Sequence, residues 1–282
     1  MSQNPHVLVV VANSEYTEQA KQVFGSAHEN GKWNGDYVLL ASGMTFPQIR
    51  WFTDRGISVI ACENLYGKQR LGHYPATPAN KLYIFSPYFR KWRKLLFLDA
   101  DIIIRAPLYP LLRVRGFGAA PDFGDTTIAD QFLAEHRKNP IVRALARSID
   151  FDRPAFNTGV LMFEPSSLKR DILSRGALLM QKYGRVSTYA EQASLNILFY
   201  RTWVPLSRAY NAFPTGDVKA DAEATILHFA GLKESMKPWS IRNQYHSEWV
   251  ESRCRAETLR FGLGRGALVR GFRYNEEVKN GV

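Results

Sequence analysis

The chain has 282 residues, 45% of them hydrophobic and 22% charged, which suits a folded domain with a substantial core and excludes an intrinsically disordered chain. Its formal charge of +11 at pH 7 calls for an anionic partner, whether nucleic acid, an acidic membrane surface or a phosphorylated ligand, without choosing among them. Two cysteines, Cys62 and Cys254, stand far apart with no Cys-x-x-Cys, which excludes a disulfide framework and fits a reducing, cytoplasmic compartment.

The apolar run "HVLVVVA" (6–12) is too short for a signal-peptide core or a membrane span and reads as a first strand. A helix is expected from Thr17 to about Glu29, a second strand at "DYVLLA" (36–41), a helix from Phe46 to Arg55 and a third strand at "ISVIAC" (57–62). A further helix, from about Thr77 to Phe89, leads through the basic knot Arg90-Lys91-Trp92-Arg93-Lys94 into "LLFLDADIII" (95–104). "FGAAPD" (117–122) and "TGVLMFEP" (158–165) add two strands, and the polar stretch 125–153 between them is an inserted helical excursion. Strands alternating with helices predict an α/β fold with a mostly parallel sheet. Residues 1–240 are expected to form one domain and 241–282 a helical, basic C-terminal appendage.

The run 95–104 has the composition of a strand buried on both faces, where a bare carboxylate is costly unless something compensates it. In a continuous strand Asp99 and Asp101, two residues apart, point from the same face, and two adjacent like charges ask for a cation. Downstream, "ILHFAGLKESMKPW" (226–239) offers His228 as a third ligand, Gly231 for close backbone approach to an anion, and Lys237 as a point charge for a phosphate. Two carboxylates and one imidazole suit Mn²⁺, with Mg²⁺ as the alternative, better than a thiolate-seeking metal. No Gly-x-Gly-x-x-Gly opens a helix after the first strand and no Walker A sequence occurs; "FGLGRG" (261–266) reads as a turn.

The chain resembles the glycogenin-like and galactosyltransferase-like retaining glycosyltransferases of family 8, which have the Rossmann-like GT-A fold. The resemblance spans residues 7–240 and is carried, in order, by "ANSEY" (12–16), "NKLYIF" (80–85), "LFLDAD" (96–101), "AAPD" (119–122), "FNTGVLMFEP" (156–165), "EQASLN" (191–196), "AYNAF" (209–213) and "HFAGLKESMKPW" (228–239). It implies a hexose donor, UDP-glucose or UDP-galactose, with a UDP-N-acetylhexosamine as the alternative. Asn13 and Tyr16 would hold the uridine, and Lys81 would help to hold the nucleotide sugar. Asp99, Asp101 and His228 would bind Mn²⁺ on the diphosphate, and Gly231 and Lys237 would contact the phosphates. Asp122, Asn157, Glu191 and Gln192 would line the donor-sugar pocket. Three departures bear on the transfer: the loop from Gly231 to Lys237 is long and leaves Lys233 as a rival to Lys237, Glu191 stands where the family usually has Asp, and Ala12 replaces a frequent hydroxyl-bearing residue.

With the family's retention of configuration, front-face attack with Gln192 near the anomeric carbon is favoured over double displacement through Glu191. The acceptor, a glycan, a lipid-linked species or a protein, is left open. The arginines at 253, 255, 260, 265, 270 and 273, interleaved with apolar residues, suggest peripheral contact with an anionic membrane or a helix packed on the domain. A dehalogenase-like phosphatase with a nucleophilic Asp99 and a non-catalytic nucleic-acid or anion binder are the rival readings. The latter leaves the ordered acidic and His set unexplained, so no nucleic acid is expected.

Overall fold

Residues 5–65, 77–262 and 265–272 are described by the computed structural model of the chain. Three apolar runs become β1 (His6–Asn13), β2 (Asp36–Ser42) and β3 (Ser58–Cys62), joined by α1 (Thr17–Glu29) and α2 (Phe46–Asp54). The start of α2 is written locally: Thr45 and Gln48 form a capping box and Pro47 occupies the first turn, where its missing N–H costs nothing. The chain continues through β4 (Lys94–Leu98), β5 (Ile102–Ile104), β6 (Phe117–Pro121), α3 (Pro140–Ala146), β7 (Phe156–Phe163), α4 (Ile172–Tyr183), α5 (Ala190–Phe199) and β8 (Trp203–Pro205). It closes with β9 (Ile226–His228), α6 (His246–Arg255) and β10 (Leu268–Phe272).

The central sheet has eight strands in the order β10-β3-β2-β1-β4-β7-β6-β8. From β10 to β4 all neighbours are parallel, β7 runs antiparallel to both β4 and β6, and β8 is parallel to β6. This mixed, mostly parallel arrangement is the GT-A fold. Val7, Val9, Val38, Leu95 and Phe97 enter the core on one face, while Leu8, Val10, Leu39, Leu96 and Leu98 enter the core on the other. Coverage of both faces is why these strands read as continuous apolar runs.

Three expected elements come out differently. The run 95–104 is two strands in two sheets, broken at residues 99–101, so Asp99 and Asp101 do not share a face of one strand. Asp and Ala are poor strand formers, and Ile102 leaves the central sheet to pair with His228 of β9. The helix expected at 77–89 is a pair of 3₁₀ segments, Thr77–Phe85 and Pro87–Lys91, separated by Ser86, whose hydroxyl accepts from the Tyr88 amide (3.2 Å), with Pro87 restarting the turn. The excursion at 125–153 consists of short 3₁₀ turns and α3.

The C-terminal residues pack on the same sheet. Gly25 of α1 lets α6 approach closely, since a Cβ there would stand 2.8 Å from the Ser252 carbonyl oxygen. β10 adds an edge to β3, and its Phe272 ring lies 5.5 Å from that of Tyr83. Several arginines of the basic stretch are engaged: Arg253 with Glu18 and Glu257, Arg255 with Glu29 and Glu251, and Arg260 with the Asp54 carbonyl. Leu263, Gly264 and Arg273 lie outside the described residues. Among the described residues no helix is long and apolar enough to cross a membrane.

Candidate functional site

The end of β4 and the β5–β9 ribbon bring the acids and the histidine together. The Asp99 amide makes a last hydrogen bond to the Gly159 carbonyl (2.8 Å), the chain bends, and the Phe229 amide then donates to the Asp101 carbonyl (2.9 Å). His228 Nε2 thereby sits 3.2 Å from Asp101 Oδ1 and 3.7 Å from Asp99 Oδ2. Ligand atoms of the three residues all lie within 4.8 Å of one another. Gly159 admits the imidazole: a Cβ there would stand 2.1 Å from His228 Cε1.

Two backbone amides fix the polarity of the buried amide chain behind this cluster. Gly159 N–H donates to Asn157 Oδ1 (2.8 Å), so the Asn211 atom facing that oxygen (3.1 Å) must be the donor Nδ2. Asn211 Oδ1 is then turned to His228 Nδ1 (2.8 Å), which must carry a proton, so Nε2 is the nitrogen that faces the carboxylates. A metal-ligating histidine presents one nitrogen in this way, with its other N–H held by a side chain that does not itself ligate. Thr158 N–H donates to Gln192 Oε1 (3.2 Å), which also accepts from Asn157 Nδ2 (3.1 Å). Gln192 Nε2 in turn donates to Asp122 Oδ2 (2.8 Å) and Gln131 Oε1 (3.1 Å), and Asn157 Nδ2 donates to Asp122 Oδ1 (3.2 Å). Asp122, Asn157 and Gln192 are therefore one buried, saturated network, joined to His228 through Asn211.

Two buried lysines balance the two carboxylates. Lys81 Nζ lies 3.0 Å from Asp99 Oδ1, donates to the Thr158 carbonyl (3.1 Å) and hydroxyl (3.0 Å), and is 3.9 Å from Glu191. Lys237 Nζ lies 2.6 Å from Asp101 Oδ2 and donates to the Phe229 carbonyl (2.7 Å), while Lys233 is exposed. Lys237 is thus the lysine that the long loop delivers to the acids. Burial by itself would raise the Asp101 carboxyl, but His228 and then Lys237 outweigh it and hold the group well below the usual carboxylate range. At Glu191 burial wins: its carboxyl is pushed up although Lys81 opposes the shift.

The residues expected to hold the nucleotide form a rim. Asn13 Oδ1 accepts from the amides of Glu15 and Tyr16 (both 3.1 Å), capping the turn that presents Tyr16. Tyr16 meets Trp239 edge-on, with centroids 6.0 Å apart, and burial, then Asp101, pushes its hydroxyl pKa up. Gly231 has a φ of +67°, and a Cβ there would lie 3.3 Å from the Tyr189 hydroxyl.

Sequence reasoning passed over Asn211, Thr158, Gly159, Gln131 and the Phe213 ring, which lies 5.7 Å from His228 at 29°. Four of the five sit inside stretches that carried the resemblance, so their position was signalled but not their role. Gln131 lies in the excursion and had no signal.

Residues 79–242 match the family model described as glycosyl transferase family 8. The chain is 24% identical over 169 residues to glycosyltransferase GlyF of Streptococcus pneumoniae serotype 4, a match spanning 56% of this chain and 37% of GlyF. It is 25% identical over 184 residues to glycosyltransferase GlyB of the same organism, spanning 58% of this chain and 39% of GlyB. The matches thus span under two fifths of the length of these relatives. In fold it is similar to the galactosyltransferase LgtC, solved with donor and acceptor sugar analogues (TM-score 0.65, 18% identity, 88% of this chain and 95% of LgtC). It is also similar to the bifunctional glycosyltransferase WbbM (TM-score 0.62, 16% identity, 89% of this chain and 50% of WbbM). The family match takes in more than half of the chain, including both acids, His228 and every residue of the amide network behind them, and the chain belongs to glycosyl transferase family 8.

Proposed function

We propose that the protein is a retaining glycosyltransferase that moves a hexose from UDP-glucose or UDP-galactose to an acceptor hydroxyl with the help of Mn²⁺. The observation that carries this reading is the convergence of Asp99, Asp101 and His228 Nε2 beside Lys237. The donor set of two oxygens and one imidazole nitrogen, its orientation fixed by Asn211, fits a divalent cation of the Mn²⁺ or Mg²⁺ type. Asp99, Asp101 and His228 would hold the ion, which when bound supplies Lewis-acid stabilisation of the charge developing on the diphosphate.

Lys237 is within reach of the same charge and would take up part of it, with Gly231 allowing close backbone approach. Asn13 and Tyr16 would hold the uridine, and Lys81 would steady Asp99 and the donor. Asp122, Asn157, Glu191 and Gln192 would orient the sugar. The bond between the anomeric carbon and the diphosphate oxygen breaks, the acceptor oxygen bonds the same face of that carbon, and the acceptor proton passes to the departing phosphate oxygen. Gln192, with both oxygen lone pairs committed to Thr158 and Asn157, serves as a neutral, fixed dipole rather than a nucleophile.

Release of UDP from UDP-glucose, UDP-galactose and UDP-N-acetylglucosamine, with Mn²⁺ and with excess EDTA, tests the reading. One of the two hexose donors is expected to be turned over, with loss in EDTA and recovery on Mn²⁺ addition. Full turnover in EDTA, or wild-type turnover by Asp101→Ala, defeats the metal assignment.

A further inference from the structure

Unpaired positive charge gathers at one end of the sheet. β1 and β4 start side by side, with His6 opposite Lys94, and end at Asn13 and next to Asp99, so the strand starts form the pole opposite the candidate metal ligands. At that pole Lys32 precedes β2, Arg93 precedes β4, Arg113 and Arg115 precede β6, and Arg201 precedes β8. All of these side chains are exposed, and among the described residues none lies within ion-pair distance of an acid. The strands β4, β7, β6 and β8 are successive neighbours about 4.8 Å apart, so the arginines share one continuous rim. The acids at these strand ends are already engaged: Asp36 accepts from Trp92 Nε1 (2.7 Å), and Glu164 pairs with Lys94 Nζ (2.9 Å). The hydrogen bond from Lys94, with the charges of Arg93 and Arg115 added, holds the Glu164 carboxyl below its ordinary value. The C-terminal stretch is the opposite case, since its Arg253, Arg255 and Arg260 are taken up by groups of the body.

Unpaired like charges repel one another, and folding gives no reason to collect them on one rim. We propose that this pole is a docking surface for a bilayer that carries acidic phospholipid. The cations sit on strand ends and short turns and not along a groove or a helix, the forms in which a peptide or a nucleic acid is held, so a flat anionic surface fits them better. Tyr109, 59% exposed at the head of the turn that ends in Arg113, adds a ring with a polar tip of the kind that settles among headgroups. β1 has 8 residues, so a protein docked in this way holds its candidate site roughly 25 Å above the lipid, opening away from it. That an acceptor is then met on the aqueous side rests on the glycosyl transfer proposed above; the docking does not.

Co-sedimentation of the full chain with phosphatidylcholine vesicles, with and without about 30% phosphatidylglycerol, tests the surface. Binding to the acidic vesicles is expected to be tenfold or more tighter than to phosphatidylcholine alone, and to weaken as salt rises. Arg93→Glu combined with Arg115→Glu is expected to lower it tenfold or more. The same change of charge on the exposed side of α3, Arg143→Glu with Arg147→Glu, is expected to lower it less than threefold. An unchanged Tm verifies the fold of both variants, and Arg113→Glu with Arg201→Glu replaces the first pair should that pair fail to fold. Equal loss in the pole and α3 variants would assign binding to net charge and overturn the docking surface. Binding that ignores phosphatidylglycerol overturns it too, as does absence of binding to either vesicle. Duplex DNA bound in place of vesicles, and released by the pole variant, overturns it in favour of nucleic acid. Calorimetric UDP titration in Mn²⁺ keeps the two readings apart: failure of UDP to bind wild type defeats the UDP-sugar reading, while the vesicle result still decides the pole.

Discussion

Asn211 is not itself an expected ligand, yet its hydrogen bond to His228 Nδ1 sets which nitrogen of the imidazole faces the acids. Asn211→Ala is expected to weaken Mn²⁺ binding by about 10- to 100-fold, read by electron paramagnetic resonance on the folded variant; unchanged affinity would show that the imidazole is oriented otherwise. Gln192 offers a second test. Gln192→Ala is expected to lower kcat by about ten- to a thousandfold, roughly 1.4 to 4 kcal/mol, with UDP affinity nearly unchanged, because the role proposed for its partners Asp122 and Asn157 is to orient the sugar and not to hold the nucleotide. Gln192→Glu sets a carboxylate where the amide nitrogen now stands 2.8 Å from Asp122 Oδ2. Two such acids cannot both ionise, so the activity of this variant relative to wild type is expected to rise as pH falls from about 8 to 6. A flat ratio would mean that the pair is relieved by movement. At this scale the acids, His228 and Lys237 were legible because charge within apolar sequence is conspicuous. Asn211 and Gln131 were not, since neutral amides are at home on any surface and only contacts reveal what they orient.

The β5–β9 ribbon is tied to α6 by buried and half-buried polar groups. Arg105, just past β5, pairs with both carboxylate oxygens of Glu248 (2.7 and 2.6 Å) and donates to the Asp221 carbonyl (2.8 Å). The Tyr245 hydroxyl donates to the Asp221 carboxylate, which also accepts from the Thr215 amide (3.0 Å) and hydroxyl (2.9 Å). Burial, then Asp221, pushes the Tyr245 hydroxyl pKa up to about 12. Burial would raise Asp221 too, but the hydrogen bonds from Tyr245 and Thr215 hold it below its ordinary value. A carboxyl whose native pKa lies below its unfolded value stabilises fully above the unfolded value, about 3.9, and loses that contribution as pH falls through the native one. Asp221→Asn is therefore expected to cost about 1–3 kcal/mol near neutrality in urea melts, with the gap to wild type narrowing below about pH 4; a gap independent of pH would contradict this account. The major strands were legible from their apolar runs. The break at 99–101 was not, because the alternation rule carries on regardless and only the pull of β9, more than 120 residues away, ends the strand. The 3₁₀ character of 77–91 was equally hidden, since spacing alone does not separate a tight turn from an α-helix of the same length.

For the whole molecule, the C-terminal strand covers the edge of the sheet. Phe272 packs against Tyr83 (5.5 Å), Tyr88 (5.8 Å) and Phe89 (6.3 Å), and β10 supplies partners for β3. A chain ending at Gly262 is expected to melt roughly 10 °C lower and to aggregate through the bared edge, as seen by calorimetry and light scattering; an unchanged Tm would mean that β10 is dispensable. The engagement of Arg253, Arg255 and Arg260 by acids and a carbonyl of the body leaves the net charge of +11 to be expressed elsewhere, which composition had no means of revealing. The reversal of direction between β4 and β7 has a further consequence. Leu98, the last residue of β4, pairs with Val160 in the middle of β7, so Asp99 stands on a seam, with the parallel strands that lead to Asn13 on one side and the antiparallel strands that lead to Asn157 and Asp122 on the other. With the roles proposed for these residues, nucleotide preference and sugar preference fall in separate halves of the sheet, and exchange of one half's loops is expected to alter one preference while the other stays in place.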